Sequence, residues 1–204
     1  MKVKKLAIVG YSGHSYLCIE AFVSLGIDIL GYYEIEEKLI NPYKLQFLGH
    51  EEQIKIDHTP FISIGSNSIR KKVYQKFILN KICLDINSFH QSAIISNTAI
   101  IGKQTFISAG VIINPQVLIN KGCIINTGAI IEHECRIGAF THIGPGAVLA
   151  GNVSVGEGCM IGANSVIKEG IKIGNNVIIG AGAVIINDVS DNLTVVGNPG
   201  KIKK

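Results

Sequence analysis

One stretch of this 204-residue chain, IIEHECRIG, carries three ionisable side chains in a row: Glu132, His133 and Glu134. An imidazole can take a proton from an acceptor group near neutral pH, and an adjacent carboxylate can fix its tautomer and stabilise the imidazolium. That pairing is the chemistry of a general base. The same residues also fit an ordinary exposed face, and spacing alone leaves both readings open. His142 follows nine residues later and His90 lies well before, so no third zinc ligand is well placed and no catalytic metal is expected. Cys135 stands beside the candidate base, but its register points inward. A thiol buried among apolar groups is a poor nucleophile, so no covalent intermediate on this residue is expected.

A repeat must position these residues. From Ile95, every sixth residue to Ile185 is aliphatic, sixteen in succession. Neither the 3.6-residue period of a helix nor the two-residue period of a strand produces that run. Two residues before each aliphatic the side chain is usually small, as at Ala93, Ala99, Cys123, Ala129, Cys135, Ala147, Cys159, Ser165 and Ala183. Glycine often follows the aliphatic, as at Gly102, Gly138, Gly144, Gly156, Gly162, Gly174 and Gly180, and is expected to serve the corners. This is the pattern of a parallel β-helix of hexapeptide repeats, three per triangular coil and about five coils in all. His133 and His142, half a coil apart, then lie on different parts of one prism and meet only if prisms pack side by side. Cys123, Cys135 and Cys159 read as core filler.

The first half reads differently. Residues 4–10 look like a buried strand, Gly10–Ser15 a turn, residues 16–25 a helix capped by Gly26, and Ile27–Tyr33 a second strand followed by Glu34, Glu36 and Glu37. This βαβ opening suits a nucleotide-binding fold, although the turn is not GxGxxG. It could admit a phosphate to backbone N–H groups or be a tight turn without a ligand. Phe61–Gly65 reads as a third strand, Ser68–Phe77 as a helix, and Leu84–Ile86 as the last strand before the coils.

Composition narrows the class. Hydrophobic residues make up 47% and charged residues 17%, which supports a packed core. The net charge of +4 is spread out, so nucleic acid is not expected as a partner. Lys201, Lys203 and Lys204 form a short basic tail that reads either as a solvated terminus or as attraction for an anionic ligand such as the phosphates of coenzyme A. The five cysteines include no CxxC pair, the apolar run Leu6–Val9 is too short for a signal peptide, and no stretch is long enough to insert in a membrane. A cytoplasmic protein is expected.

YSGHS (Tyr11–Ser15), FISIGSNSIRKKVYQKF (Phe61–Phe77), NTGAIIEHECRIGAFTHIGPGAVLAGNV (Asn126–Val153) and VVGNPGK (Val195–Lys201) together resemble the nucleotide-sugar acetyltransferases of the bacillosamine-pathway and perosamine N-acetyltransferase type, a family that includes sialic acid O-acetyltransferases. The resemblance implies a Rossmann-like α/β domain over residues 1–90 that binds the nucleotide-sugar. A left-handed parallel β-helix over 91–204 would bind acetyl-CoA, and a homotrimer would hold its active sites between subunits. It matches His133 to the catalytic base, Glu134 to its orienting carboxylate, and His142, Gly151, Ala163 and Ala181 to the acetyl-CoA site. The Gly151 N–H would lie near the thioester carbonyl. Gly13, His14, Glu34, Ile64, Gly65 and Asn67 match nucleotide-sugar positions. Two departures stand out: Glu34 replaces the first of a usual aspartate pair, and Gly200 replaces the alanine of a C-terminal Gly-x-Pro-Ala-Lys motif.

The activity expected is acetyl-CoA-dependent N-acetylation of the 4-amino group of a nucleotide-linked, preferentially UDP-linked, deoxy-amino sugar. O-acetylation of a sugar hydroxyl is the alternative within the same chemistry. A β-helix that binds a ligand without catalysis is the alternative outside it.

Overall fold

The computed structural model describes residues 5–203; Lys4, the first residue of the strand expected over 4–10, and Lys204 of the basic tail lie outside them. The chain opens with β1 (Leu6–Val9), α1 (Gly13–Ser24) and β2 (Ile29–Tyr33). It continues with the short β3 (Gln46–Phe47), β4 (Thr59–Ile62) and α2 (Asn67–Leu79). The four strands form one parallel sheet in the order β3-β2-β1-β4. All four residues of central β1 are buried, which accounts for its unbroken apolar sequence LAIV. Helix α1 begins earlier than its apolar pattern suggests, because Ser12 caps it and exchanges hydrogen bonds with Ser15.

Leu84–Ile86 forms no strand, and the first rung is Ser88–Phe89. Leu84 instead packs beneath the sheet with Val73 and Phe77 of α2. From Ser88 the chain winds as a left-handed parallel β-helix with three faces. The docking face runs from Ser88–Phe89 through Phe106–Ile107, Ile124–Ile125, His142–Ile143, Met160–Ile161 and Ile178–Ile179 to Thr194–Val196. The aliphatic face stacks six rungs from Ile94–Ile95 to Val184–Ile185, and the mixed face stacks five from Ile100–Ile101 to Lys172–Ile173. From Ser88 to Ile185 strand partners lie eighteen residues apart, as in Ile130↔Val148, so like residues stack on like; the closing rung is shorter, with Ile178 paired to Thr194 after sixteen. The sixth-residue aliphatics and the small residues two positions earlier form one core, with Cys123, Cys135 and Cys159 fully buried in it.

The glycines after each aliphatic do not adopt left-handed backbone. They are glycine because successive coils touch there: a Cβ on Gly156 would lie 2.6 Å from the carbonyl carbon of Gly174. The left-handed position falls two residues later, at Gly122, Gly128, Glu134, Phe140, Gly146, Asn152 and onward. A hairpin of Thr194–Val196 and Lys201–Ile202 closes the end of the stack. Gly200 fits tightly there, since a methyl group would come within 2.7 Å of Ile185 Cδ1. Ile185 thus fills the room that the usual alanine would take.

Candidate active site

His133 and Glu134 sit at the corner between the aliphatic and mixed faces, between Ile130–Ile131 and Arg136–Ile137. Both are exposed, and His133 Nδ1 lies 3.1 Å from Glu134 Oε2. A carboxylate can only accept, so Nδ1 carries the proton and Nε2 is left as a proton acceptor. Glu132, the third acid of the cluster, accepts instead from Asn114 Nδ2 of the preceding coil at 2.9 Å. Glu134 adopts φ 62°, at a position where most other coils have glycine or asparagine. That conformation costs about 1–2 kcal/mol for a residue with a Cβ, and here it delivers the carboxylate to the imidazole.

The ring of His133 rests on the next coil. A Cβ on Gly151 would lie 2.6 Å from both its Cε1 and its Nε2, and Gly151 is buried beneath it. Glycine is required by the ring and not by the backbone. The coils are also tied by Asn152 N–H donating to His133 O at 2.8 Å, while the Gly151 N–H has no partner among the described residues. Cys135 faces inward, donates to Ala150 O at 3.2 Å, and has its thiol pushed up to about 11 by burial.

His142 occupies the docking face, away from His133. Its Nε2 lies 3.2 Å from the buried amide Nδ2 of Asn126, whose Oδ1 is taken by Thr127 N–H. Nε2 therefore accepts, and Nδ1 is left a buried donor without a partner within the chain. The ring of His14, at the start of α1, lies 6.4 Å away and edge-on to Phe106 at 5.3 Å. Burial pushes His14 down to about 3, assisted by His142 and Arg70, and His142 down to about 4, assisted by Arg70. Both rings are neutral at neutral pH.

The β1–α1 turn and its neighbours assemble the remaining candidates. Glu34 closes the turn from below: Oε2 accepts from Tyr11 N–H and Oε1 from Ile35 N–H, each at 3.0 Å. A hollow of about 480 Å³ lies beside Tyr11, Ser12, Gly13 and Tyr16, bounded by residues 36–40. Ile64 and Gly65 follow β4, with Gly65 against the Cβ of His14. Asn67 begins α2, but its carboxamide donates to Gly158 O at 3.2 Å and Cys159 O at 2.9 Å on the coils. A groove of about 660 Å³ runs between α2 and the docking face past Ser66, Asn67, Met160 and Ile178. Neither hollow is lined by His133. Ala163 and Ala181 stack one above the other at the corner between the docking and aliphatic faces, where Gly182 N–H donates to Ala163 O at 2.8 Å.

The structure thus brings together His133, Glu134 and Gly151 on one edge, and His14, Gly65 and His142 on the opposite side. Two residues escape a reading of the sequence. Asn126 orients His142 from one coil below. Arg70, on α2, is 2% exposed and shares the buried face of the helix with Val73 and Phe77. An arginine on an otherwise apolar helical stripe is the signal that could have revealed it. Burial lowers its guanidinium to about 10. Among the described residues, no group of three or more His, Cys, Asp or Glu side chains could hold a metal, and no helix is long and apolar enough to cross a membrane.

Comparison with known proteins places this architecture. The family model described as PglD N-terminal domain matches residues 5–77, and that for bacterial transferase hexapeptide (six repeats) matches 134–169 and 152–187. The acetyltransferase domain of PglB from Neisseria gonorrhoeae FA1090 is 30% identical, with 98% of this chain and 100% of that one covered and a TM-score of 0.90. Its complex with acetyl coenzyme A aligns equally, at 29% identity over 98% and 99% of the two chains and a TM-score of 0.90. PerB from Caulobacter crescentus, solved with CoA and GDP-perosamine, is 32% identical over 98% of this chain and 97% of its own, with a TM-score of 0.91. This chain belongs to the nucleotide-sugar acetyltransferases, enzymes that join a PglD-type N-terminal domain to a hexapeptide β-helix.

Proposed function

We propose that this enzyme transfers the acetyl group of acetyl-CoA directly to the 4-amino group of a nucleotide-linked deoxy-amino sugar, with UDP as the favoured nucleotide. The observation that carries the reading is the His133–Glu134 pair. The carboxylate fixes Nδ1–H, so Nε2 is the atom that accepts the proton. As the neutral sugar amine attacks the thioester carbonyl, a C–N bond forms and the amine proton passes to Nε2. Collapse of the tetrahedral intermediate breaks the C–S bond, and the thiolate takes the proton from the imidazolium, leaving amide and CoA thiol. The unpartnered N–H of Gly151, beside the base, is a suitable donor to the developing oxyanion. The buried thiol of Cys135 supports a route without an acyl-enzyme.

The site is completed between subunits in this reading. The N-terminal domain rests on the docking face, whereas His133 lies on the edge opposite that face. A second copy is needed to bring His133 to the turn holding Gly13, His14, Glu34, Ile64 and Gly65. The outward column of the aliphatic face, Ile94, Ile112, Ile130, Val148, Val166 and Val184, supplies an apolar strip suited to packing prisms into a homotrimer. His142, with its unpartnered Nδ1, and the corner of Ala163 and Ala181 would line acetyl-CoA in the cleft so formed. The two domains then divide the work at about residue 90, nucleotide-sugar before it and acetyl-CoA after. A cytoplasmic location, where acetyl-CoA is made available, fits this activity.

The test is CoA release measured with UDP-, GDP- and dTDP-linked 4-amino sugars and with their 4-hydroxy counterparts. Turnover with an amino sugar, and most with the UDP form, is expected. Turnover only with hydroxy sugars would replace N-acetylation by O-acetylation.

A further inference from the structure

The guanidinium of Arg70 spends all five of its N–H donors on neutral acceptors. Nε donates to Gly122 O at 2.7 Å; Nη1 donates to Ile64 O at 2.9 Å and Gly65 O at 3.0 Å; Nη2 donates to Asn67 Oδ1 at 2.7 Å and Phe140 O at 3.1 Å. Asn67 in turn gives both amide hydrogens to Gly158 O and Cys159 O. Gly122, Phe140 and Gly158 are eighteen residues apart, hence three successive coils at one corner, and all three have left-handed backbone. Their carbonyls accept no backbone hydrogen bond among the described residues. A buried cation without a carboxylate partner is costly unless every donor is satisfied, and here each is.

We propose that Arg70 and Asn67 are positioning residues that clamp the Ile64–Gly65 turn to this carbonyl column, and so set the height at which a nucleotide-linked sugar meets the coils. The proposal rests on the function given above. The planar fork matters: one nitrogen reaches the turn, another the lower coil, and the third both the middle coil and Asn67. A lysine ammonium offers three donors from a single point and cannot span these acceptors. Asn67 acts through the same clamp, because its carboxamide is already committed to Arg70 and the coils. Loosening the clamp moves the turn and leaves the His133–Gly151 edge intact, since that edge lies across the prism.

Arg70→Lys and Asn67→Ala test this by steady-state kinetics with both substrates varied and by amide hydrogen exchange. The clamp predicts that KM for the nucleotide-sugar rises about tenfold or more, while KM for acetyl-CoA and kcat stay within about twofold. It also predicts faster exchange over residues 63–68 with unchanged protection in the coils. A KM for acetyl-CoA that moves in step with that for the sugar, or unaltered exchange over 63–68, would overturn it. Asn67→Ala keeps the arginine and carries the comparison should Arg70→Lys fail to fold. If the unaltered enzyme turns over no amino sugar nucleotide, the functional reading fails by itself, and the exchange result alone decides the clamp.

Discussion

His133 rests on Gly151: a Cβ added to that glycine would lie 2.6 Å from both Cε1 and Nε2 of the imidazole. The imidazole is therefore held from below by a neighbouring coil and from the side by Glu134. Gly151→Ala should displace the ring and lower kcat on the order of 10²-fold, because small misplacements of a catalytic group are that costly. Stability should change by less than about 0.5 kcal/mol, since the ring is exposed and free to move. Kinetics alongside thermal unfolding would check the split.

Glu134 sets stability against activity. Its backbone at φ 62° is one that glycine adopts without penalty. Glu134→Gly should stabilise the fold by about 1 kcal/mol, read as a higher urea midpoint, while kcat falls because His133 loses its orienting carboxylate. A variant that is both more stable and fully active would show that the strain serves nothing.

Much of this arrangement was legible in the sequence. The sixth-residue aliphatics from Ile95 to Ile185 dictate a triangular stack, because only that geometry buries them all. The cluster at 132–134 stands out because three ionisable side chains follow one another at one corner, where most other corners carry one charge or none. The position of left-handed backbone was not legible, since glycine serves two purposes in the repeat: close approach at positions such as Gly156, and conformational freedom at others such as Gly128. Leu84–Ile86 misleads as a strand because its apolar residues serve two packing clusters, Leu84 with Val73 and Phe77 of α2 and Ile86 on the other side with Phe106 and Ile124, rather than a strand pairing. Asn126 and Arg70 act across coils and between domains, a relation that no local pattern records.

Acid should weaken the seating of the N-terminal domain on the coils. His14 and His142 titrate near 3 and 4 in the folded chain against an ordinary 6.5, so the unfolded chain binds more protons between those values. The folded state keeps its full stability above about pH 6.5 and loses it as pH falls toward 4 and then 3. At pH 5 the loss should be on the order of 2 kcal/mol for each histidine. Urea unfolding at pH 7 and pH 5 would show it, and replacing both histidines with glutamine should flatten the difference. Equal stability of the unaltered enzyme at the two pH values would contradict it.

Gly200 and Ile185 share one space. Gly200→Ala should cost about 1–3 kcal/mol through overpacking against Ile185 Cδ1 and Val195 Cγ1, at 2.7 and 3.0 Å from the added methyl. Adding Ile185→Val should recover part of that loss, and a double-mutant cycle would measure the coupling.

The central claim is that His133 of one subunit serves the N-terminal domain of another. Mixing two inactive variants tests it most directly. His133→Ala removes the base; Gly13→Trp blocks the β1–α1 turn, at a position where an added Cβ meets nothing within 4 Å. After denaturation and refolding together, the shared site predicts that CoA release with the amino sugar nucleotide returns, because mixed oligomers pair an intact His133 with an intact turn. Mixed oligomers that form and stay as inactive as either variant alone would place base and turn in one chain and contradict the account.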